Sequence, residues 1–569
     1  MAVRLKIFAY TLIIIFIALL ARLFYWQVIK GDELAQQARG QYEGGLSIDA
    51  KRGSILASDG TWLASSGEAY QMYASLPDLT YSPDKIAELL APFTVNEPGE
   101  DEILSESKRI NKILTRDEIV WTPIASRLSP EKKRTIEEMN LEGIGFIQEE
   151  RRIYPEASAS AHLLGFVGKS ENGDDKGYFG LEGFYDLVLQ GKEGFLLREK
   201  DAKGLPIILG SSKEASSISG IDIVTNIDKT LQLRLEEKLK KGIERYGAVA
   251  GSAIIMDPKS GAILAMSSYP SYDPNKYSKY STELFKNPVI SDSFEPGSVF
   301  KVVVMAAALD AEVVEPDTIC DACSGPVVID KYTIETWNQQ YFPDSSMVDV
   351  IVHSDNVGMV FVARKLGINK LFDYIKKFGF GEVTGIDLQG EASPKIREET
   401  NWGIVDLATA GFGQGIAVTP IQLVAAVSAI ANDGVYVSPQ VVDKFAAGGK
   451  YQEIESKTVG RVISEEAADE ITGMMVEAAK RGEAKWTYER GFGVAGKTGT
   501  AQIPIAGHYD EDKTIASFVG FAPHNNPKFV MLVTLREPTT SPWASETAAP
   551  LWYSIAKDLF LHFGLQPGE

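Results

Sequence analysis

The longest run of apolar residues lies near the N-terminus, from Ile7 to Val28, and contains one charged residue, Arg22. A helix of about 20 apolar residues spans the hydrocarbon core of a membrane. Arg4 and Lys6 precede the run, and such a basic flank favours the cytoplasmic side. Ala21 is followed by Arg-Leu-Phe-Tyr-Trp, a poor cleavage site, so the pattern predicts an uncleaved anchor rather than a signal peptide.

The second half of the chain has clear periodicity. Leucines recur every four residues between 230 and 246, which predicts an amphipathic helix. Two apolar runs between 251 and 269 flank Asp-Pro-Lys-Ser-Gly, which predicts a β-hairpin. The remaining apolar runs predict a buried helix, two adjacent strands and a closing helix, at 302–309, at 515–522 with 529–535, and at 548–563. This order predicts an α+β domain with an antiparallel sheet flanked by helices.

The first half of the chain differs in pattern, because residues 45 to 225 are mixed and polar with many turn residues. A chain of 569 residues is too long for one ordinary core. We therefore predict a cytoplasmic tail, an anchor, an elongated mixed domain with its juxtamembrane segment, and a second folded domain, at 1–6, 7–28, 29–228 and 229–569.

Charge and cysteine content narrow the possible functions. The formal net charge is −20, and an acidic surface repels phosphate backbones, so the sequence predicts no nucleic-acid partner. Cys320 and Cys323 form a single C-x-x-C without the further ligands that a structural zinc site needs. They are predicted to form a local disulfide or to pack as two small residues.

Three short motifs carry the candidate chemistry. They occur in the order Ser298-Val-Phe-Lys301, Ser354-Asp355-Asn356 and Lys497-Thr498-Gly499. Each is weak alone, since S-x-x-K also occurs at Ser105 and at Ser129. The order of the three motifs and their surroundings carry the argument.

The surroundings of Ser298 distinguish it from the other S-x-x-K serines. Pro296 and Gly297 precede it and an apolar helix follows, so Ser298 is predicted in the first helical turn with Lys301 one turn further. Burial disfavours the charged form of an amine, and a neutral lysine could accept the serine proton. The sequence predicts a serine nucleophile beside a lysine base.

The second and third motifs supply polar groups for a peptide substrate. Ser354 and Asn356 lie between two apolar runs, where a hydroxyl can relay a proton and an amide can hold a carbonyl, although Ser-Asp-Asn is also typical of a helix cap. Lys497, Thr498 and Gly499, followed by Thr500, are predicted on an edge strand that pairs with an extended peptide. Lys497 and Thr498 would bind a terminal carboxylate.

With these motifs in place, the chain resembles the class B penicillin-binding proteins, which are monofunctional peptidoglycan D,D-transpeptidases. The likeness extends outside the trio. It includes family-like boxes in the first half and in the catalytic half, at Arg52-Gly53, Arg152-Ile-Tyr154-Pro155, Gly180-Leu181-Glu182-Gly183 and Gly413-Gln414-Gly415. The resemblance implies a non-catalytic pedestal domain and a penicillin-binding/β-lactamase-like transpeptidase domain outside the cell membrane.

The resemblance also implies a mechanism. Ser298 would attack the penultimate D-alanine carbonyl of a stem peptide, release the terminal D-alanine, and pass the acyl group to an amine on a neighbouring stem. Lys301, Ser354, Asn356 and Lys497 would be the other catalytic residues. The backbone N–H groups of Ser298 and Thr500 would form the oxyanion hole.

The same resemblance implies the ligands and partners. β-Lactams would acylate Ser298, and neither a metal nor an organic cofactor is implied. A polytopic glycan polymerase of the SEDS type is the implied protein partner. The sequence around Ser298 is more similar to that of division-type enzymes than to that of elongation-type ones.

Several alternatives share parts of this pattern. A β-lactamase would carry further motifs for deacylation, and the E-x-x-L-N of class A enzymes is missing. A β-lactam-acylated sensor would have several spans before its sensor domain. A catalytically inactive cell-wall scaffold need not keep every motif residue. The motifs alone do not separate transpeptidase from D,D-carboxypeptidase.

Overall fold

The computed structural model describes residues 2–30, 43–48, 50–95, 99–116, 119–157, 159–199, 212–505 and 508–568. The chain forms two compact units. The smaller comprises residues 1–52 and 190–220, and the larger comprises residues 53–189 and 221–569. Residues 31–42, in the predicted juxtamembrane segment, lie outside the described residues.

Helices and strands alternate irregularly along the chain. The α-helices of the described residues are α1 Ala2–Phe24, α2 Pro83–Thr94, α3 Glu100–Leu114, α4 Pro130–Glu137, α5 Ala161–Leu164, α6 Gly180–Phe184, α7 Asp186–Leu189, α8 Lys229–Tyr246, α9 Pro288–Ser291, α10 Lys301–Asp310, α11 Met347–Val352, α12 Asn356–Leu366, α13 Ile368–Lys377, α14 Ile404–Gly411, α15 Pro420–Ala431, α16 Glu465–Arg481 and α17 Ala548–His562. The strands are β1 Glu43–Ile48, β2 Ile55–Leu56, β3 Trp62–Ser75, β4 Trp121–Leu128, β5 Ile144–Ile153, β6 Phe166–Lys169, β7 Asp175–Tyr178, β8 Gly194–Glu199, β9 Ser212–Ala215, β10 Asp222–Thr225, β11 Ala250–Met256, β12 Ile263–Tyr269, β13 Val327–Ile329, β14 Tyr332–Ile334, β15 Val435–Val437, β16 Val442–Ala447, β17 Lys450–Glu453, β18 Thr458–Arg461, β19 Ala495–Ile505, β20 His508–Ala522 and β21 Phe529–Arg536.

The smaller unit contains the predicted anchor. Helix α1 continues through a π-helical turn at Tyr25–Ile29. The segment Ile7–Ile29 is long and apolar enough to cross a membrane, and its side chains are exposed rather than packed into a core. Strands β1, β8 and β9 form the antiparallel sheet of this unit.

A five-stranded antiparallel sheet of order β12-β11-β21-β20-β19 organises the second half of the larger unit. Successive residues of a strand point to opposite faces of a sheet. Ile255 packs with α8 and α17 on one face, whereas its neighbour Ile254 packs with α10 and α15 on the other. Both faces are therefore buried, and β21 is apolar at nearly every position.

A second sheet joins distant parts of the larger unit. Its order is β17-β16-β10-β2-β3-β4, and β5 pairs with β3. Strands β2 and β10 are parallel, whereas the other paired strands run antiparallel. Helices α2, α3 and α4 cover part of this sheet around Met72 and Leu90. The domain boundary at residue 228 stays a prediction, and strands from both sides of it share this sheet.

Most of the elements expected from periodicity are present. The predicted helix at 230–246 is α8, which begins at its Asp228 cap, where the side chain accepts a hydrogen bond from the Leu231 N–H at 2.9 Å. The predicted hairpin is β11–β12, and the two late strands are β20 and β21. Residues Lys301–Leu309 of α10 are all buried, as the apolar run indicated. The fold class is confirmed.

The two cysteines form a disulfide. Cys320 and Cys323 are bonded to each other, which selects the first of the two predicted interpretations, and both are buried. Among the described residues, no cluster of three or more histidine, cysteine or acidic side chains could hold a metal ion.

A buried ion pair connects two family-like boxes of the first half. Arg152 Nε lies 2.5 Å from Glu182 Oε1, and their side chains are 3% and 0% exposed. Arg152 Nη1 also donates to the Gly53 carbonyl at 2.6 Å, and the Tyr154 hydroxyl donates to Glu182 at 3.3 Å. The ion pair and these hydrogen bonds together offset the cost of burying the two charges.

We predict that Arg152→Ala lowers the free energy of unfolding by about 3–5 kcal/mol, because it removes the cation that lies 2.5 Å from the buried Glu182 carboxylate. Urea unfolding of the full chain in detergent measures this change. The control is Lys85→Ala, which breaks an exposed pair with Glu88 and is expected to cost about 0–1 kcal/mol. Equal effects of the two substitutions would contradict the interpretation.

Candidate active site

Ser298 lies in a 3₁₀ turn, Gly297–Phe300, that leads directly into the buried helix α10. The turn is held from two sides. The Gly297 N–H donates to the Gly413 carbonyl at 3.0 Å, and Gly297 adopts a left-handed φ of 55° against the backbone of Thr500. Ser298 remains partly exposed while its neighbours in the turn are buried. The sequence predicted the first turn of a helix, and the structure has a tighter turn at that place.

Lys301 is fully buried at the start of α10. Its Nζ donates to the Ser354 carbonyl at 2.6 Å and to Asn356 Oδ1 at 2.7 Å, and it lies 3.3 Å from Ser354 Oγ. A neutral amine has two N–H donors and one lone pair. The two short bonds use both donors, so the lone pair is left for a hydroxyl proton.

Ser354 lies between helices α11 and α12, as the sequence predicted, and is 2% exposed. Its φ of 55° is left-handed, which turns the chain sharply between the helices. Asp355 caps α12, because its side chain accepts hydrogen bonds from the N–H groups of Val357 and Gly358. Within this motif Asp355 caps the helix, whereas Ser354 and Asn356 contact the Lys301 amine.

Strand β19 carries the third motif at the edge of the five-stranded sheet, as predicted. Lys497 is 3% exposed, and its Nζ lies 2.9 Å from Ser354 Oγ and 3.3 Å from Thr498 Oγ1. Gly499 packs against the nucleophile turn, since a Cβ there would lie 3.0 Å from the Val299 nitrogen. The hydroxyl of Ser354 therefore bridges two buried amines.

Burial controls the charge state of these amines. Desolvation, together with the neighbouring Lys497 ammonium, lowers the pKa of Lys301 to about 7, against the opposing effect of the Asp355 and Glu483 carboxylates. Burial also lowers the pKa of Lys497, with Glu483 opposing the shift. Near neutral pH a substantial share of Lys301 is therefore deprotonated.

The other S-x-x-K serines lie in different surroundings. Ser129 caps α4 by accepting a hydrogen bond from the Lys132 N–H at 3.3 Å. The Lys132 amine donates to the carbonyls of Phe93 and Val95, away from Ser129. Ser129 therefore has a structural role as a helix cap.

Every predicted site residue lies in or beside this cluster, including Thr498, Gly499 and Thr500. The residues that sequence reasoning missed lie elsewhere in the chain. Glu483, beyond the end of α16, accepts a hydrogen bond from Thr498 Oγ1 at 3.1 Å. The Glu335 carbonyl accepts one from Asn356 Nδ2 at 3.0 Å. No local pattern marks either of them.

Two exposed tryptophans contact each other beside the cluster. The ring centroids of Trp337 and Trp543 are 5.0 Å apart. Trp337 follows the Glu335 carbonyl that binds Asn356, and Trp543 precedes Ala544, whose N–H donates to Thr500 Oγ1 at 3.1 Å. The ring pair therefore connects a segment next to the second motif with a segment next to the third.

Two family models match this chain. Residues 251–560 match the model of the penicillin-binding protein transpeptidase domain, and residues 47–225 match that of the penicillin-binding protein dimerisation domain. Together these ranges cover most of the chain.

Similar proteins are found over almost the full length. Stage V sporulation protein D of Bacillus subtilis is 33% identical over 98% of this chain and 85% of that protein. The probable peptidoglycan D,D-transpeptidase PenA of Neisseria gonorrhoeae is 28% identical over 92% of this chain and 87% of that protein. The structure of penicillin-binding protein 2X from Streptococcus thermophilus shares the fold, with a TM-score of 0.74 at 24% identity over 92% of this chain and 80% of that one.

We predict that Gly413→Ala disturbs the turn that carries the serine. Gly413 has a φ of 82°, and a Cβ there would lie 2.1 Å from the Gly297 carbonyl oxygen. We expect a loss of about 2–4 kcal/mol in the free energy of unfolding, measured in urea. The matched control is Gly390→Ala, which also has a positive φ, 97°, but open space around it. Gly390→Ala should lower the free energy of unfolding by only about 1 kcal/mol, the cost of a positive φ for alanine. Equal decreases in the two variants would refute the steric argument.

Proposed function

Because the chain belongs to the penicillin-binding protein transpeptidases, we propose that it cross-links peptidoglycan stem peptides through an acyl-enzyme on Ser298. The observation that carries this proposal is the junction of two buried lysine amines on the Ser354 hydroxyl. In this proposal Lys301 accepts a proton from the nucleophile, and Lys497 holds an anionic end of the substrate.

The first half of the reaction forms the acyl-enzyme. The lone pair of Lys301 takes the Ser298 proton while the serine oxygen attacks the carbonyl carbon of the penultimate D-alanine. The carbonyl oxygen becomes an oxyanion, which the backbone N–H groups of Ser298 and Thr500 would stabilise. The oxyanion then collapses and breaks the C–N bond, while Ser354 relays the proton from Lys301 to the leaving nitrogen. The terminal D-alanine departs with its amine, and the acyl ester remains on Ser298.

The second half transfers the acyl group. An amine of a neighbouring stem attacks the ester carbon and loses a proton through the same hydroxyl and amine groups. The ester bond to Ser298 breaks, and the serine oxygen regains its proton. A new amide cross-link has formed, and the enzyme is restored.

Substrate binding follows from the third motif. An extended stem peptide would add to the free edge of β19 by backbone hydrogen bonds. Lys497 and Thr498 would hold its terminal carboxylate, Gly499 would let β19 lie against the turn of Ser298, and Asn356 would hold a peptide carbonyl. A β-lactam presents a similar carboxylate and a strained amide, and would acylate Ser298 in the same way.

The apolar N-terminal helix and the relatives indicate a membrane-anchored protein. We further propose a single span, with residues 1–6 in the cytoplasm and the transpeptidase domain from residue 229 outside. Residues 29–228 would form the pedestal. The partner would be a SEDS-type glycan polymerase, and the role septal wall synthesis, because the sequence around Ser298 is similar to that of division-type enzymes.

We predict one covalent adduct, on Ser298, after incubation with a labelled penicillin. Intact-protein and peptide mass spectrometry locate it. Ser298→Ala should abolish labelling, whereas the control Ser105→Ala, another S-x-x-K serine, should retain it. Rapid release of hydrolysed penicillin with recovery of free enzyme would favour a β-lactamase, and no adduct at all would favour an inactive scaffold.

We also predict a pH dependence of the acylation rate constant. Lys301 acts in its neutral form, so the rate should rise with pH through an apparent pKa of about 7. Lys497 acts in its charged form, so the rate should fall again at higher pH as that amine loses its proton. Stopped-flow acylation by benzylpenicillin from pH 5.5 upwards measures the rise and the later fall. A flat profile from pH 6 to 8 would exclude Lys301 as the base.

A further inference from the structure

A carboxylate of the protein lies where an anionic ligand would bind. Glu483 follows Gly482, which ends α16 and packs tightly, since a Cβ there would lie 3.0 Å from the Val352 carbonyl of α11. Glu483 is partly buried, and its Oε2 accepts the hydrogen bond from Thr498 Oγ1 at 3.1 Å.

Thr498 has only one hydroxyl proton to donate. In the structure that proton is directed at Glu483. The terminal carboxylate of a stem peptide or a β-lactam is an acceptor only, so it needs the same proton. Two carboxylates at one donor also repel each other, most strongly where water is excluded.

We propose that Glu483 is a specificity-determining residue that competes with the terminal carboxylate of the ligand for the Thr498 hydroxyl. The inference rests on the proposed function, in which Lys497 and Thr498 bind that carboxylate. An anionic ligand must displace Glu483 before it binds, whereas a ligand without the carboxylate does not meet this barrier. Glu483 thereby weakens acylation by anionic ligands relative to neutral ones.

Glu483 also acts on the charges of the site. The charged groups that face Lys301 are Lys497, from β19, and the carboxylates of Asp355 and Glu483, from α12 and the end of α16. Loss of the Glu483 charge removes a group that favours the ammonium form of both lysines. Competition for Thr498 and support of the lysine charges are separable effects, because only the first depends on the ligand's carboxylate.

The test compares two ligands that differ in one charge, benzylpenicillin and its methyl ester. The second-order acylation rate constant is measured for each on the full chain in detergent at pH 6, where the protonated form of Lys497 is favoured. The ratio of the two constants cancels changes in the base and reports recognition of the carboxylate.

Three variants separate the contributions. Glu483→Ala removes both charge and acceptor, and Glu483→Gln removes the charge but keeps an acceptor oxygen. The matched control is Glu477→Gln on α16, a partly exposed residue that pairs with Arg481 at 2.8 Å. It removes the same charge from a residue of the helix that precedes Glu483, at a position with no contact to Thr498.

We define the ratio as the acylation rate constant for benzylpenicillin divided by that for its methyl ester. We expect Glu483→Ala to raise this ratio about tenfold, which is equivalent to the contribution of one hydrogen bond. Glu483→Gln should raise it less, and Glu477→Gln should leave it unchanged. A ratio that stays constant or falls in both Glu483 variants overturns the inference, since Glu483 would then be neutral or helpful to carboxylate binding. If Glu483→Ala does not fold, the near-isosteric Glu483→Gln decides alone.

A second readout follows the ester across pH. The acylation rate constant for the ester should rise with pH as Lys301 loses its proton. In Glu483→Gln this rise should occur at lower pH, because Lys301 loses a carboxylate that stabilises its ammonium form. A merely structural role would leave the rise in place, and that result would contradict the electrostatic part of the inference. Absence of any Ser298 adduct in the unsubstituted chain would instead overturn the proposed function, and this inference with it.

Discussion

The site depends on the burial of two amines, those of Lys301 and Lys497, away from water and next to the Ser354 hydroxyl. An isolated ammonium is costly to bury, so each lysine needs either acceptors or deprotonation. Lys301 has the carbonyl of Ser354 and the amide of Asn356, and Lys497 has the hydroxyls of Ser354 and Thr498. In the proposed reaction the two lysines have different roles, since Lys301 loses its proton and Lys497 keeps it.

The architecture makes this arrangement possible. Helix α10 is buried on all sides because the five-stranded sheet and the surrounding helices enclose it, and this removes water from Lys301. The sheet contributes its edge strand β19 opposite the turn of Ser298, close enough that only glycine fits at 297 and 499. The enclosure of α10 by the sheet and the helices therefore accounts both for the packing of the core and for the lowered pKa of Lys301.

The sequence predicted the parts whose patterns are local. Helix α8, the β11–β12 hairpin and the edge position of β19 follow from spacing and turn residues, and the three motifs lie together. The sequence did not predict strand β3, because register irregularities near Tyr70 and Met72 break its alternation and most of its residues are partly buried or exposed. Glu483 escaped because its partner Thr498 is fifteen positions away, on another element. Such contacts arise from tertiary packing and leave no periodic pattern.

The mixed sheet has a consequence for biosynthesis. Its strand β10 pairs on one side with β2, and on the other with β16, which begins at Val442. While the ribosome is still making the intervening chain, one edge of β10 stays open to incorrect pairing. The early part of this protein therefore completes its fold only after most of the later part has been synthesised, which favours a chaperone or a covering surface for the nascent edge.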